Sequence, residues 1–401
     1  MTSQLFKQIA PLFLFALVAI TTTAQESKTY TEFDIEIKAD YRYFFKDGLY
    51  DGQHRQYPSL AIEPNYFLEW ADGNQSLNFT GFARFDRDDN RTHFDIRELY
   101  WQGVKNDWEL SLGAKKIFWG VTESAHLVDI VNQTDFVESF DGEQKLGQPM
   151  AHLSYASDIG IFDFFAMPYF RKRAFPGQEG RLRTPFLIGK DEIGFEADAE
   201  EWHPDFAFRW SNSMGIFDAG VSYFYGTGRE PVFELNPESS AFDIYYPLNN
   251  QIGIDLQAIT GAWLWKWESI YRTNDFQNMF AFAGGFEYTF SNIKSSGLDI
   301  GLIGEYLFDN RDELALNGLD NDLFVGSRLA FNDVQSTEFL IGGIFDMDKS
   351  SKLFSVEASR RFGNSWKLEI ETRLFSNISE KEFLYFMRDD SFMQVRLAKF
   401  F

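Results

Sequence analysis

From Glu32 to Phe44 the chain reads EFDIEIKADYRYF and changes polarity at every residue. Phe33, Ile35, Ile37, Ala39, Tyr41 and Tyr43 share one parity, and Asp34, Glu36, Lys38, Asp40 and Arg42 share the other. A period of two puts the sets on opposite faces of a strand. The same rhythm returns along the whole chain. Trp263, Trp265 and Trp267 alternate with Lys266 and Glu268, and Trp366, Leu368 and Ile370 with Lys367, Glu369, Glu371 and Arg373. About eighteen such segments are present, sixteen being the lower count, and many run to about 9–14 residues, beyond the usual five or six of globular strands. The fold class is therefore all-β.

The connections alternate too. Tight links such as Lys105-Asn106-Asp107, Ser157-Asp158 and Phe362-Gly363-Asn364 fall at every second junction. Between them lie long polar ones: 46–58, 119–149, 171–203, 226–249, 310–321 and 376–390. Asp191–Ala199 also has strand character, but counting it alone would put the chain ends on opposite sides, so it is assigned to a loop. A barrel of about eighteen strands is too wide for side chains to fill. An apolar lining would face water, so the apolar parity must face lipid and the charged parity the interior, with closure satisfying every backbone hydrogen bond. The rings sort accordingly. Trp70, Trp108, Trp263, Trp366, Phe290 and Phe331 fall at short-turn ends, and Tyr41, Tyr43, Phe85, Tyr225, Tyr271 and Tyr306 at long-loop ends, as two interfacial belts require.

The first 24 residues form a separate unit: Lys7 precedes an apolar run, Ile9–Ile20, and small residues, Thr22-Thr23-Ala24, end it. This reads as a cleaved export signal, leaving 25–401 as one barrel domain. After it no apolar run is long enough for a helical span. With 37 Lys+Arg against 60 Asp+Glu, a net charge of −23, the chain lacks the basic face that nucleic acid needs. It has no cysteine, hence neither disulfides nor an N-terminal lipid anchor.

The last strand, Met393 to Phe401, resembles the terminal signal that Gram-negative outer-membrane porins present to the barrel-assembly machinery. The final aromatic is Phe401, preceded at alternate positions by Leu397, Val395 and Met393; Lys399 departs from the pattern. The segment 113–138 is similar to a set of outer-membrane barrels with W-G-x-[ST]-E followed by N-x-x-D, here Trp119 to Glu123 and Asn132 to Asp135. The resemblance implies a location in the cell outer membrane, contact with its lipids and lipopolysaccharide, and passive diffusion of small hydrophilic solutes through a pore narrowed by an in-folded loop. The alternative is a non-conducting surface protein that binds a polysaccharide or partner through its long loops.

The 119–149 segment is the candidate constriction, with helix-like spacing from Val121 to Val131 and polar groups Glu123, His126, Asp129, Asn132, Asp135, Glu138, Asp141, Glu143 and Lys145. Carboxylates there would favour cations. The next loop is basic: Arg171, Lys172, Arg173, Arg181 and Arg183. These either face the carboxylates across the pore, bind anionic groups bidentately, or are paired within a solvated loop. The inward faces, with Asp34, Glu36, Lys38, Asp40 and Arg42, then Lys266, Glu268 and Arg272, then Lys367, Glu369, Glu371 and Arg373, form a wall of mixed sign, read as cross-linked by ion pairs. Ser124, His126 and Asp129 supply the types of a nucleophilic triad at a spacing that does not itself assemble one. With no G-x-S-x-G elbow or H-E-x-x-H helix, no enzyme is expected. The runs 86–90 and 309–313 are acidic loop tips without the spaced calcium-loop pattern. Neither cofactor nor metal is expected.

Overall fold

A computed structural model describes residues 29–236, 241–312, 315 and 318–401; the expected signal, 1–24, lies outside them. Eighteen strands form one sheet. In order around it, the first half is β1 (Tyr30–Phe44), β2 (Gln56–Trp70), β3 (Gln75–Phe85), β4 (His93–Lys105), β5 (Trp108–Lys115), β6 (Gln148–Ser157), β7 (Gly160–Met167), β9 (Asp205–Met214) and β10 (Phe217–Thr227). The second is β13 (Leu248–Thr260), β14 (Trp263–Thr273), β15 (Asn278–Phe290), β16 (Asp299–Asp309), β17 (Asn321–Ala330), β18 (Glu338–Asp346), β19 (Lys352–Phe362), β20 (Trp366–Ser376) and β21 (Phe392–Phe400). Neighbours are antiparallel, and β1 closes on β21 with Ile37 opposite Lys399 and Tyr41 opposite Val395. Closure leaves the sheet no free edge.

The remaining strands, β8 (Ile188–Phe195), β11 (Val232–Asn236) and β12 (Ala241–Tyr246), form a small sheet inside two long loops, β12 pairing antiparallel with β11 and parallel with β8. Assigning 191–199 wholly to loop was therefore wrong for Asp191–Phe195 and right in keeping it out of the barrel. Ile193 and Phe195 pack with Phe170, Ile244 and Tyr246, a private core that needs the same alternation as a barrel wall.

Exposure settles which side faces where. Phe33 is 61 % exposed and Trp265 44 %, whereas Glu268 and Glu305 are 0 % and 1 % exposed. The oily parity looks outward and the ionic parity inward. Trp108, Trp263, Trp366, Phe290 and Phe331 stand exposed at one rim, Tyr41, Phe85, Tyr271 and Tyr306 at the other. Gly261, at φ +66°, makes the tight turn after β13 in the left-handed region where a side chain is strained.

One irregularity positions a functional side chain. Thr80 pairs with Glu98 but Gly81 with Ile96, so Arg97 is the extra residue of a bulge in β4. The bulge resets the alternation, and Asp95, Arg97 and Glu98 all turn inward.

The outer half of the interior is not a bare charged wall. Ile303, Leu307 and Phe324 point inward and pack with Ala125 and Leu127 of the 116–147 loop. Val128, Ile130 and Val131 of that loop join Trp119, Phe165, Phe224, Ile270 and Met279. Inward apolar residues are tolerated because chain, rather than water, covers them.

Candidate functional site

The 116–147 connection descends into the barrel and is held there by two wall carboxylates. Glu268 Oε1 accepts the Val121 N–H at 2.6 Å, the Thr122 N–H at 3.0 Å and the Thr122 hydroxyl at 2.9 Å, and its Oε2 accepts the Val128 N–H at 3.2 Å. Glu305 takes the Glu123 and Ser124 N–H groups at 2.8 Å each and the Ser124 hydroxyl at 2.6 Å. These peptide donors turn to the wall instead of to carbonyls one turn back. The helix-like spacing of Val121–Val131 accordingly forms no helix; its apolar residues are shared between two stretches of wall. Asn132 clasps the loop's ends, donating to the carbonyls of Lys115 and Leu146 and accepting the Ile117 N–H.

The loop's own carboxylates reach wall or loop cations. Glu123 pairs with Arg328 at 2.6 Å and Lys266 at 3.6 Å, Asp135 with Arg97 at 2.5 Å, and Asp129 with Lys145 at 3.2 Å. Burial still raises the Asp129 carboxyl, with Lys145 only partly opposing it. Glu138 and Asp40 share Arg84, which is 1 % exposed, at 2.7 and 2.6 Å. Burial would raise Glu138, but Arg91 and Arg84 bring it down to about 2. His126 rests edge-on against Phe118. Ser124 and Asp129 are engaged elsewhere, so the triad types are not assembled.

The basic loop divides. Arg171 reaches Asp95 at 2.7 Å and Arg181 reaches Asp390 at 2.7 Å. Arg181 also donates to the carbonyls of Lys46, His54 and Asp389, so it braces three loops. Arg173 and Arg183 instead donate to neutral oxygens: Gln133 and the Arg229 carbonyl for the first, the carbonyls of Thr184, Pro185 and Gln178 for the second.

Between the in-folded loop, the covering loops and the wall lies a cavity of about 430 Å³. Glu123, His126, Asp129, Asn132, Arg173 and Arg183 line it; Asp135, Arg171 and Arg181 do not. Its walls are aromatic and aliphatic, with Phe136, Phe140, Phe175, Phe233 and Phe324 prominent. Its charged lining includes Arg173, Arg183 and Glu230, the last bridged by Arg272 at 3.1 Å and Arg311 at 3.0 Å. Burial would raise Glu230, but those two guanidiniums hold it below the ordinary carboxylate range. Glu143 and Arg373 line it as well, the latter bonded to Asp141, Glu357 and Glu371 at 2.5, 2.7 and 3.0 Å. Enclosure in the lumen, then Asp141 and Glu357 alongside, push Glu143 up to about 7. Glu305, Glu230 and Phe324 were not among the sequence candidates, because nothing in a strand's alternation marks how far along the barrel an inward residue sits.

Deeper in the barrel the mixed wall is cross-linked. Lys38 bridges Glu36 and Glu63 at 3.0 and 3.1 Å, Lys367 meets Glu369 at 2.6 Å, and Arg396 joins Asp40 at 2.7 Å to Glu369 at 3.5 Å. Asp34 accepts from Asn65, and Arg42 donates to Gln394. Lys399, the departure in the terminal pattern, lies against Trp366 and Phe401 and donates to Ser365 at the rim. Phe401 itself is exposed, its N–H bonded to the Ile35 carbonyl.

Solved structures share this architecture. A BenF-like porin from Pseudomonas fluorescens Pf-5 superposes with a TM-score of 0.55, 9 % identity, and coverage of 93 % of this chain and 98 % of that one. The two chains share a fold. OccK5 (OpdH) of Pseudomonas aeruginosa gives 0.54 at 9 % identity, covering 92 % of this chain and 97 % of that one. Wzi of Escherichia coli, a carbohydrate-binding β-barrel involved in group 1 capsule assembly, gives 0.54 at 12 % identity, covering 92 % and 84 %. No family profile matches the sequence, and no curated protein is recognisably similar to it. The likeness to the porins is therefore one of fold.

Proposed function

We propose that this outer-membrane barrel is a porin-like channel for passive diffusion of small solutes, with selection at the chamber beneath its outer loops. The observation that carries this reading is the chamber, set between an in-folded loop and the wall and lined by Arg173, Arg183 and Glu143 among apolar side chains. Its apolar walls favour solutes with a hydrophobic part as well as a charge, a narrower class than hydrophilic solutes at large. Lumen charge then sets which ions pass. The engagement of Ser124 with Glu305 and of Asp129 with Lys145 supports a transport role over a hydrolytic one.

A second reading, a non-conducting carbohydrate-binding barrel, draws on the small sheet and arginine braces gathered at the long-loop side, and on the likeness to Wzi. Planar-bilayer recording of the refolded protein under a salt gradient separates the two. Stepwise currents with a reproducible reversal potential support the channel. Silent bilayers together with saturable glycan binding overturn it.

A further inference from the structure

Asp322 and Asp346 face each other directly across β17 and β18, both turned inward at the long-loop end. Like charges in that relation repel, so something must offset them. Asp320, just before β17, brings a third carboxylate, and one oxygen of each lies within 4.8 Å of the others. That spread is about twice a calcium–oxygen bond of about 2.4 Å, the span of ligands around one ion. Lys349 reaches Asp320 Oδ2 at 2.5 Å and Asp346 Oδ2 at 3.7 Å. It leaves Asp320 Oδ1 buried without a hydrogen-bond partner.

A fourth group, on a different loop, points the same way. Glu382 is 5 % exposed; its Oε1 accepts the Ser351 hydroxyl at 2.9 Å, and its Oε2 is buried with no partner. That oxygen is turned toward the 318–320 segment, 4.0 Å from where a Cβ on Gly318 would stand.

We propose that a divalent cation, calcium by the hardness and number of the oxygens offered, binds among Asp320, Asp322, Asp346 and Glu382. Glu382 immediately precedes the short 3-10 helix Phe383–Met387, from which Phe383, Leu384 and Met387 line the chamber. The ion thereby ties the 310–320 and 377–391 loops to the barrel rim and fixes the chamber's outer wall. The site stands on its own geometry and does not depend on the protein conducting.

The test uses refolded, lipopolysaccharide-free protein in detergent, titrated with calcium chloride by calorimetry and melted in calcium or in EDTA. Saturable binding at one site and a higher Tm in calcium are expected, with magnesium weaker because it demands octahedral geometry and keeps its waters. Asp322→Asn/Asp346→Asn removes the facing charges. It should weaken calcium binding at least about tenfold, as expected for losing charged ligands, while melting in EDTA no lower than wild type. Lys349→Met should keep or tighten binding. No saturable binding in the wild type, or undiminished binding in the double variant, overturns the proposal. So does a Lys349→Met variant that is destabilised and not rescued by calcium, since the ammonium is then the sole counter-ion.

Discussion

Glu268→Gln isolates what holds the in-folded loop. In the wild type one ionised side chain takes four donors: the Val121 and Thr122 N–H groups and the Thr122 hydroxyl on Oε1, and the Val128 N–H on Oε2. Glutamine keeps one carbonyl oxygen for the first three, but each falls from a charge-assisted bond of about 2 kcal/mol to a neutral one of about 1. Its amide nitrogen faces the Val128 N–H, donor against donor, and orphaning a buried N–H costs about 1–3 kcal/mol. The sum is about 4–6 kcal/mol. Glu305→Gln loses a comparable amount from its three donors. What resists release is the apolar underside, chiefly Val128 and Ile130, 0 % and 3 % exposed, at about 1.5–3 kcal/mol each, together with the ion pairs of Glu123, Asp135 and Glu138 with Arg328, Arg97 and Arg84, which neither substitution touches. The single variant should thus loosen the 121–128 stretch, and the double variant, at about 8–12 kcal/mol of lost anchoring, should loosen it further while the ion pairs of Asp135 and Glu138 keep the rest of the loop on the wall. Single-channel recording should show larger, noisier currents in the order wild type, single, double, and limited proteolysis should cut the 116–147 loop in the same order. Glu63→Gln, at a wall carboxylate paired with Lys38 away from the loop, is the control and should change neither. A correctly folded double variant with wild-type conductance and a protease-resistant loop would refute the anchoring argument.

The Glu143 carboxyl, raised from 4.5 to about 7, is neutral below that value in the folded protein and ionised above it. Stability should therefore fall as pH rises from about 4.5 to about 7 and level off beyond. Cation preference should grow over about pH 6 to 8 in reversal-potential measurements, and Glu143→Gln should remove both trends; an unchanged pH profile in that variant refutes the assignment. Arg84→Met leaves Asp40 and Glu138 buried without their shared cation, so stability should drop by about 3–5 kcal/mol in urea unfolding. Glu138→Gln in the same background should recover part of it, since Asp40 keeps Arg396 at 2.7 Å, and no recovery would show that packing, not charge, was lost. Nitroxides at Ile35, Trp265 and Leu368 should be reached by oxygen dissolved in the bilayer and shielded from aqueous nickel chelates; the opposite pattern would overturn the outward orientation of the apolar parity.

The barrel was legible because its signal is redundant. A lumen-wall residue such as Glu369 and a lipid-facing one such as Leu368 differ by one step, and the step repeats for the length of every strand. The parity argument correctly kept 191–199 out of the barrel, yet it did not reveal β8. Its local pattern is that of any half-buried strand, and its partner β12 is brought beside it only by the fold. The Val121–Val131 spacing misled for a related reason. Apolar residues three and four apart suggest one helical face, but here Ala125 serves one patch of wall, Val128 and Ile130 serve another, and Leu127 touches both. Nor does spacing show the bulge at Arg97, whose inward turn supplies the partner of Asp135.

Charge on the in-folded loop illustrates why composition is a poor guide to selectivity. Read from the chain, its acids form a cation-attracting constriction. In the fold, loop and wall exchange partners: wall carboxylates Glu268 and Glu305 hold loop peptides, while loop carboxylates Glu123, Asp135 and Glu138 hold the wall cations Arg328, Lys266, Arg97 and Arg84. Such an exchange fixes the loop firmly because breaking it strands buried charge on both sides. It also consumes the charges that would otherwise act on a passing ion. Selection then falls to groups that face the chamber without a full counter-charge. Arg173 and Arg183 have neutral acceptors, and Glu143 has no cation within ion-pair distance among the described residues. Arg173 and Arg183 together with one acid that titrates near neutrality give a chamber whose preference for anions weakens as pH rises through about 7, which no count of loop carboxylates would show.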